Sequence, residues 1–345
     1  MSKNRREESQ GDIRVGVLGL GRIGQMHANL VNDVVDGACV VSIYDLDHKR
    51  AESESERLGV AAPASASELI ASGEIDAVAI CTNTDSHVDL ITEAGEAGLA
   101  IFCEKPVSLS LEQTDLALAS VARGGGLFQV GFNRRFDPAH AAVHNAVANG
   151  VVGDPHLVKI TSRDPSPPPL DYVRTSGGLF LDMTIHDFDM ARFIAGSEVT
   201  SVYAEGSIRN CPEYEAVDDI DTATVMLRHA NDCLTLIDNS RQCSYGYDQR
   251  VEVHGSLGMA ASENPPAYTA VVQTADGSRA PVLSDFFLDR YKTAYIAQWN
   301  SFVASYHGRR PRPLADDARA PLVIALAADR SRKERRPVAL VDIDQ

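Results

Sequence analysis

The chain is 345 residues long, 44% hydrophobic and 23% charged, with a formal net charge of −16 at pH 7. That length accommodates two domains, and the acidic balance argues against nucleic acid or an anionic membrane surface as partner, since both select basic patches. MSKNRREESQ at the start lacks the apolar core of a secretory signal, and no apolar run approaches the roughly 20 residues of a membrane span. Cys39, Cys81, Cys103, Cys211, Cys233 and Cys243 follow no CxxC or framework spacing, so free thiols in a reducing, cytoplasmic compartment are expected.

Ile13 to Leu18 is a short β-branched run, the pattern of a buried parallel strand. It leads directly into Gly19-Leu20-Gly21-Arg22-Ile23-Gly24 and then a helical stretch through Val31. Strand, glycine turn and helix start are the context that gives GxGxxG its meaning. The first glycine permits the turn, the second admits a pyrophosphate, and the third packs helix on strand. Free N–H groups and the helix dipole then favour phosphate. A second strand, Cys39 to Tyr44, ends at Asp45, placed to accept from both ribose hydroxyls and to repel a 2′-phosphate. Leu46 offers no cation, so NAD is expected over NADP; Lys49 and Arg50 fall on a following helix.

The alternation continues with a strand at Ala77 to Cys81, a helix at Ser86 to Ala97 and a strand at Ala100 to Cys103. Leu111 to Arg123 is the next helix and Leu127 to Val130 the next strand. Such alternation predicts right-handed crossovers and a doubly wound parallel sheet of the Rossmann kind over residues 12–131. Ligands of these sheets sit beyond the carboxyl ends of the strands, where Thr82, Asn83, Glu104 and Lys105 fall. Lys105, restrained by Pro106, has the chemistry to hydrogen-bond a substrate hydroxyl and stabilise oxyanion charge. A solvated lysine is the plain alternative.

Residues 132–345 read as a second, substrate-binding and oligomerisation domain. Gly131 to Phe136 is the crossing into it, Ala139 to Asn149 a helix, His156 to Ser162 a strand and the proline-rich Pro165 to Leu170 a loop or lid. Strands then follow near Val199 to Ser207, Thr222 to Arg228, Cys233 to Asn239, Arg250 to His254 and Ala267 to Gln273. Successive strands without helices between them predict an open, mainly antiparallel sheet, giving an α/β chain whose second domain is α+β. One sheet face is expected under a helix, and the other is a candidate oligomer surface. Ser284 to Tyr306 and Ala318 to Arg330 are expected closing helices.

Between these strands and the lid lies Gly177 to Phe193, GGLFLDMTIHDFDMARF. As a helix it carries Asp182, His186, Asp189 and Phe193 on one face, while its other faces are mostly apolar. A buried apolar helix with an acid–imidazole–acid stripe suits a stripe turned toward a pocket, where an imidazole trades protons near neutral pH. A structural ion-pair stripe is the alternative. Metal binding would need a further ligand, which nothing nearby supplies at convincing spacing.

With GLGRIG, FCEKP, QVGFNRRFDP, SRDP, GGLFLDMTIHDFDMARF and YGYDQRVEVHG together, nearly the whole chain after its first ten residues resembles the glucose-fructose oxidoreductase/inositol dehydrogenase/MocA family, in particular its inositol 2-dehydrogenase branch. The resemblance implies Lys105, Asp182 and His186 as the catalytic set and Asn133, Asp164, Asp189 and Tyr247 as substrate contacts, with Lys105, Asp182 and His186 also touching substrate. It implies NAD as cofactor, no metal, a polyol or sugar substrate, and a homotetramer or dimer formed through the second sheet. The expected reaction is oxidation of a ring alcohol, with myo-inositol foremost. Alternatives are another inositol isomer, a pyranose, a redox glycoside hydrolase, or a non-catalytic NAD-binding regulator, which should lack the intact Lys–Asp–His set.

Overall fold

A computed structural model describes residues 11–266, 268–279, 281–309, 313 and 315–344. In chain order its first part runs β1 (Ile13–Leu18), α1 (Arg22–Asp33), β2 (Ala38–Tyr44), α2 (His48–Leu58), α3 (Ala66–Ala71), β3 (Ala77–Ile80), α4 (His87–Glu96), β4 (Ala100–Cys103), α5 (Leu111–Gly124) and β5 (Phe128–Val130). There follow α6 (Pro138–Ala148), β6 (Pro155–Arg163), α7 (Leu170–Ser176), α8 (Ile185–Ala195), β7 (Val199–Ser207), β8 (Thr222–His229), β9 (Leu234–Ser240), β10 (Asp248–Gly255) and β11 (Met259–Ser262). The remainder is β12 (Val272–Thr274), β13 (Gly277–Arg279), α9 (Phe287–Arg290), α10 (Lys292–Tyr306), α11 (Asp316–Glu334) and β14 (Val338–Ala339).

The chain forms two units, one from Met1–Phe132 with Tyr295–Arg319, the other from Asn133–Ala294 with Ala320–Gln345. In the first, five parallel strands lie in the order β2-β1-β3-β4-β5. The order reverses between β1 and β3, so the crevice for a ligand opens at their carboxyl ends. These short strands are almost wholly buried, which is why they read as continuous apolar runs instead of alternating ones. A second domain running unbroken over 132–345 is corrected by the return of residues 295–319 to the first unit. There Trp299 stacks on Phe102, ring centroids 4.8 Å apart, and Phe302 meets both rings edge-on.

In the second unit seven strands lie in the order β11-β10-β6-β9-β8-β7-β14, and every neighbouring pair is antiparallel except β6 with β9. Its core joins the inward residues of these strands to Phe188, Ile194 and Ile324 from α8 and α11. The opposite face of β8 and β9 leaves Met226 and Leu236 exposed. Three local expectations are corrected. The closing helix over 284–306 is two helices, α9 and α10, and a short helix, α7, follows the proline-rich loop. The strand expected over Ala267 to Gln273 is only the exposed β12, paired with β13; Ala267 lies outside the described residues.

Candidate active site

The nucleotide side is built at the ends of β1, β2, β3 and β4. Gly19 has φ +87°, and a Cβ there would stand 2.7 Å from the Cys81 carbonyl oxygen and the Thr82 nitrogen. A Cβ on Gly24 would lie 1.8 Å from the Gly19 carbonyl oxygen, so this glycine lets α1 close on the turn. Gly21 instead faces open space. It also precedes the first turn of α1, which has no side-chain cap and no acidic residue. Uncapped N–H groups beside an open glycine suit a pyrophosphate. Arg22 is exposed and Ile23 half-buried on that turn.

Asp45 is buried, accepting from the backbone N–H of Leu20 at 2.6 Å and of Asp47 at 2.8 Å. These bonds tie the acid to the glycine turn, where a ribose diol would meet it. Arg50 Nη1 lies 3.4 Å from both carboxylate oxygens, although Leu46 itself is exposed. Beyond β3, Thr82 Oγ1 accepts from Ser86 Oγ at 2.7 Å, and Asn83 is exposed. The buried His87 ring reaches the carbonyls of Pro106 and Thr82 at 2.8 and 3.1 Å, joining the loops after β3 and β4. Glu104 and Lys105 are half-buried in the second of these loops, where Lys105-Pro106 is cis. The residues present fit NAD.

The substrate side lies in the second unit. The helix leading into α8 opens with a π turn, Phe180–Thr184, and its first N–H, from Leu179, donates to Asp219 at 2.9 Å. Such a turn inserts a residue and shifts the phase of what precedes it, a device common at functional sites. The expected regular helix over Gly177 to Phe193 therefore starts with this π turn and becomes α-helical from Ile185. Asp182, on the π turn, accepts from the Tyr172 hydroxyl at 2.8 Å and from Arg241 Nη1 at 3.1 Å. His186 is half-buried in the first turn of α8. Asp189 is 1% exposed and accepts from Arg135 Nε at 2.8 Å and Nη2 at 2.5 Å, a buried bidentate ion pair. Phe193 stacks on His144 at 3.8 Å.

Asp187, absent from the expected set, carries more of the organisation. Fully buried, it accepts from Arg134 Nη1 at 2.6 Å and from Asn239 Nδ2 at 2.8 Å. Asn239 in turn accepts from Thr184 at 2.7 Å. The network ties β9 and the residues after β5 to the turns on either side of His186.

Asp164, at the end of β6, feels this cluster: burial pushes its carboxyl up to about 6, with Asp182 and Asp187 adding to the rise and Arg134 and Arg241 opposing it. Tyr247 is buried, its hydroxyl held well above the usual phenol range by burial, with Arg134 and Asp164 among the charges acting on it. Asn133 is buried next to Arg134. The second unit thus gathers Asp164, Asp182 and Tyr247 with Arg134 and Arg241, and pairs Asp189 with Arg135. The sequence did not point to Arg241, Tyr172 or Asp187, whose partners lie 10 to 59 residues away along the chain.

Residues 13–132 match the model of the oxidoreductase family with an NAD-binding Rossmann fold, and residues 140–261 that of the GFO/IDH/MocA C-terminal domain. The chain is 42% identical to a myo-inositol 2-dehydrogenase of Thermotoga maritima over 96% of its own length and 99% of that protein. The chain belongs to the Gfo/Idh/MocA family. Among solved members, a myo-inositol dehydrogenase from Corynebacterium glutamicum is 39% identical with a TM-score of 0.91, over 95% of this chain and 99% of that one. A scyllo-inositol dehydrogenase from Lactobacillus casei, solved with NAD(H) and scyllo-inositol bound, is 27% identical with a TM-score of 0.89, over 96% and 99%. This Gfo/Idh/MocA chain is an NAD-binding oxidoreductase of the inositol 2-dehydrogenase-like kind.

Proposed function

We propose that the chain oxidises a secondary ring alcohol of a cyclic polyol, foremost myo-inositol to 2-keto-myo-inositol (scyllo-inosose). The observation that carries this is Asp182, its charge held by Arg241 and Tyr172, four residues before a half-buried His186 in a helix fixed by the Asp187 network. NAD, when bound, supplies the hydride acceptor at nicotinamide C4. His186 removes the hydroxyl proton, Asp182 stabilises the imidazolium that results, and Lys105 donates to the same oxygen. Asp164, Tyr247 and Asn133 hold the ring hydroxyls. Asp189 acts behind them by fixing Arg135.

The test is NAD reduction across inositol isomers and common pyranoses, run beside His186→Ala and Lys105→Ala. Highest kcat/KM on myo-inositol is expected, with each variant losing roughly 10²–10⁴-fold in kcat and little NADH affinity. Normal turnover in His186→Ala would overturn the assignment. Another isomer or a pyranose is the second reading, supported by the scyllo-inositol bound to the Lactobacillus casei relative.

The open face of β8 and β9, with Met226 and Leu236 exposed, supports association of copies through this sheet into a dimer or tetramer. Six free thiols, four of them buried, support a reducing, cytoplasmic setting. Among the described residues no helix is long and apolar enough to cross a membrane.

A further inference from the structure

A buried chain of hydrogen bonds in the first unit ends on the backbone of Lys105. Trp299 is 0% exposed and its Nε1 donates to His27 Nδ1 at 2.9 Å. An indole N–H can only donate, so Nδ1 accepts and the imidazole proton lies on Nε2. That nitrogen stands 2.9 Å from Glu104 Oε1 and donates to it. The second carboxylate oxygen, Oε2, accepts from the Lys105 backbone N–H at 3.3 Å. His27 is itself 0% exposed, with Phe102 and Tyr295 edge-on at 5.0 and 5.5 Å. Gly131 completes the seat, since a Cβ there would stand 2.8 Å from Glu104 Oε2.

We infer that His27 is a positioning residue for the reaction: with its tautomer set by Trp299, it fixes Glu104 and, through Glu104, the main chain from which the Lys105 ammonium acts. This rests on the catalytic role proposed for Lys105. Burial makes the arrangement exacting. An imidazole with both nitrogens committed cannot rotate or exchange tautomer without leaving a polar atom unpaired in an apolar surround. Its effect on turnover comes from placement, and errors on the order of 1 Å at a reacting group cost about 10²-fold.

The test uses full-length variants assayed for NAD reduction with myo-inositol and, separately, for NADH binding and thermal unfolding. His27→Phe keeps a ring and loses both nitrogens. Trp299→Phe removes the donor that sets the tautomer together with part of the ring stacked on Phe102, a packing loss that the unfolding temperature reports, and His27→Gln restores an amide donor near the site of Nε2. We expect His27→Phe and Trp299→Phe to lose roughly 10–100-fold in kcat with NADH affinity little changed, and His27→Gln to regain most of it. Unchanged kcat in a folded His27→Phe overturns the inference. So does an equal loss in all three variants that follows their unfolding temperatures, since that is what packing alone would give. Should His27→Phe fail to fold, Trp299→Phe against His27→Gln decides. Lys105→Ala run alongside separates the two levels. Normal turnover there overturns the role of Lys105 and this inference with it, whereas an inactive Lys105→Ala beside a fully active His27→Phe overturns the inference alone.

Discussion

Arg241 donates from Nη1 to Asp182 at 3.1 Å while only 1% exposed, and its Nη2 lies 3.6 Å from Asp219. One guanidinium therefore serves both the acid on the π turn and the acid that receives the first N–H of that helix. Replacing it by Met leaves two carboxylates without their cation. Removing one partner of a buried pair costs about 3–5 kcal/mol. We expect Arg241→Met to lower the unfolding temperature and kcat together, and Arg241→Lys to restore stability only in part because an ammonium cannot reach both acids in the same plane. Calorimetry and steady-state rates check this.

Arg134 and Asp187 form a second buried pair, 2.6 Å apart. Either single substitution, Arg134→Met or Asp187→Leu, strands one charge and is expected to cost about 3–5 kcal/mol. The double variant should be less destabilised than the sum of the singles, the mark of coupled sites. Denaturant titration of the four proteins measures the coupling. Simple additivity would show that the two side chains stabilise the unit independently.

Asp164 provides a pH test. Burial raises its carboxyl from 3.8 to about 6 in the fold. A folded value above the unfolded one means that the native state holds the proton more tightly. There is no penalty below the lower value, and stability is lost as pH rises through about 6. Asp164→Asn should therefore gain stability at pH 8 relative to pH 4, by on the order of 3 kcal/mol at most. Unfolding curves at the two pH values check the sign.

Asp45 and Arg50 bear on cofactor choice. The acid already has a guanidinium 3.4 Å away, so Asp45→Ser removes the repulsion of a 2′-phosphate and leaves a cation in place. NADPH affinity, followed by cofactor fluorescence, should rise relative to NADH, and Leu46→Arg should add to it. An unchanged ratio would show that another group reads the ribose.

The proposed association through the second sheet has a direct test as well. Leu236→Glu and Met226→Glu place charge on an exposed sheet face and open no cavity, so each variant should still fold, with any fall in unfolding temperature reflecting lost association. Light scattering is expected to show a smaller assembly than the parent chain forms.

The first unit was legible because its signals are local: a strand, three glycines and a helix start occupy twelve consecutive residues, and Asp45 follows at the next strand end. Lys105 stood out for the same reason. The ion pair of Asp189 was hidden from the sequence, since its partner Arg135 lies 54 residues earlier and no periodicity connects them. The π turn was invisible because a period of 3.6 has no place for an inserted residue. Arg241 sits just after β9, outside any repeating pattern. The strands β6 to β10 of the second sheet alternated clearly enough to be found, but the short β11 and β14 and the exposed β13 did not.

The place of α10 sets an order on biosynthesis. The rings of Phe102 and His27 acquire their cover only when Trp299 and Phe302 have been made, long after β4 and α1, which carry them, have left the ribosome. At ordinary elongation speeds that wait lasts roughly ten seconds or more. For that time the nascent nucleotide unit shows an aromatic face, and a chaperone would shield it, whereas a slow translation step just before Trp299 would lengthen the exposure.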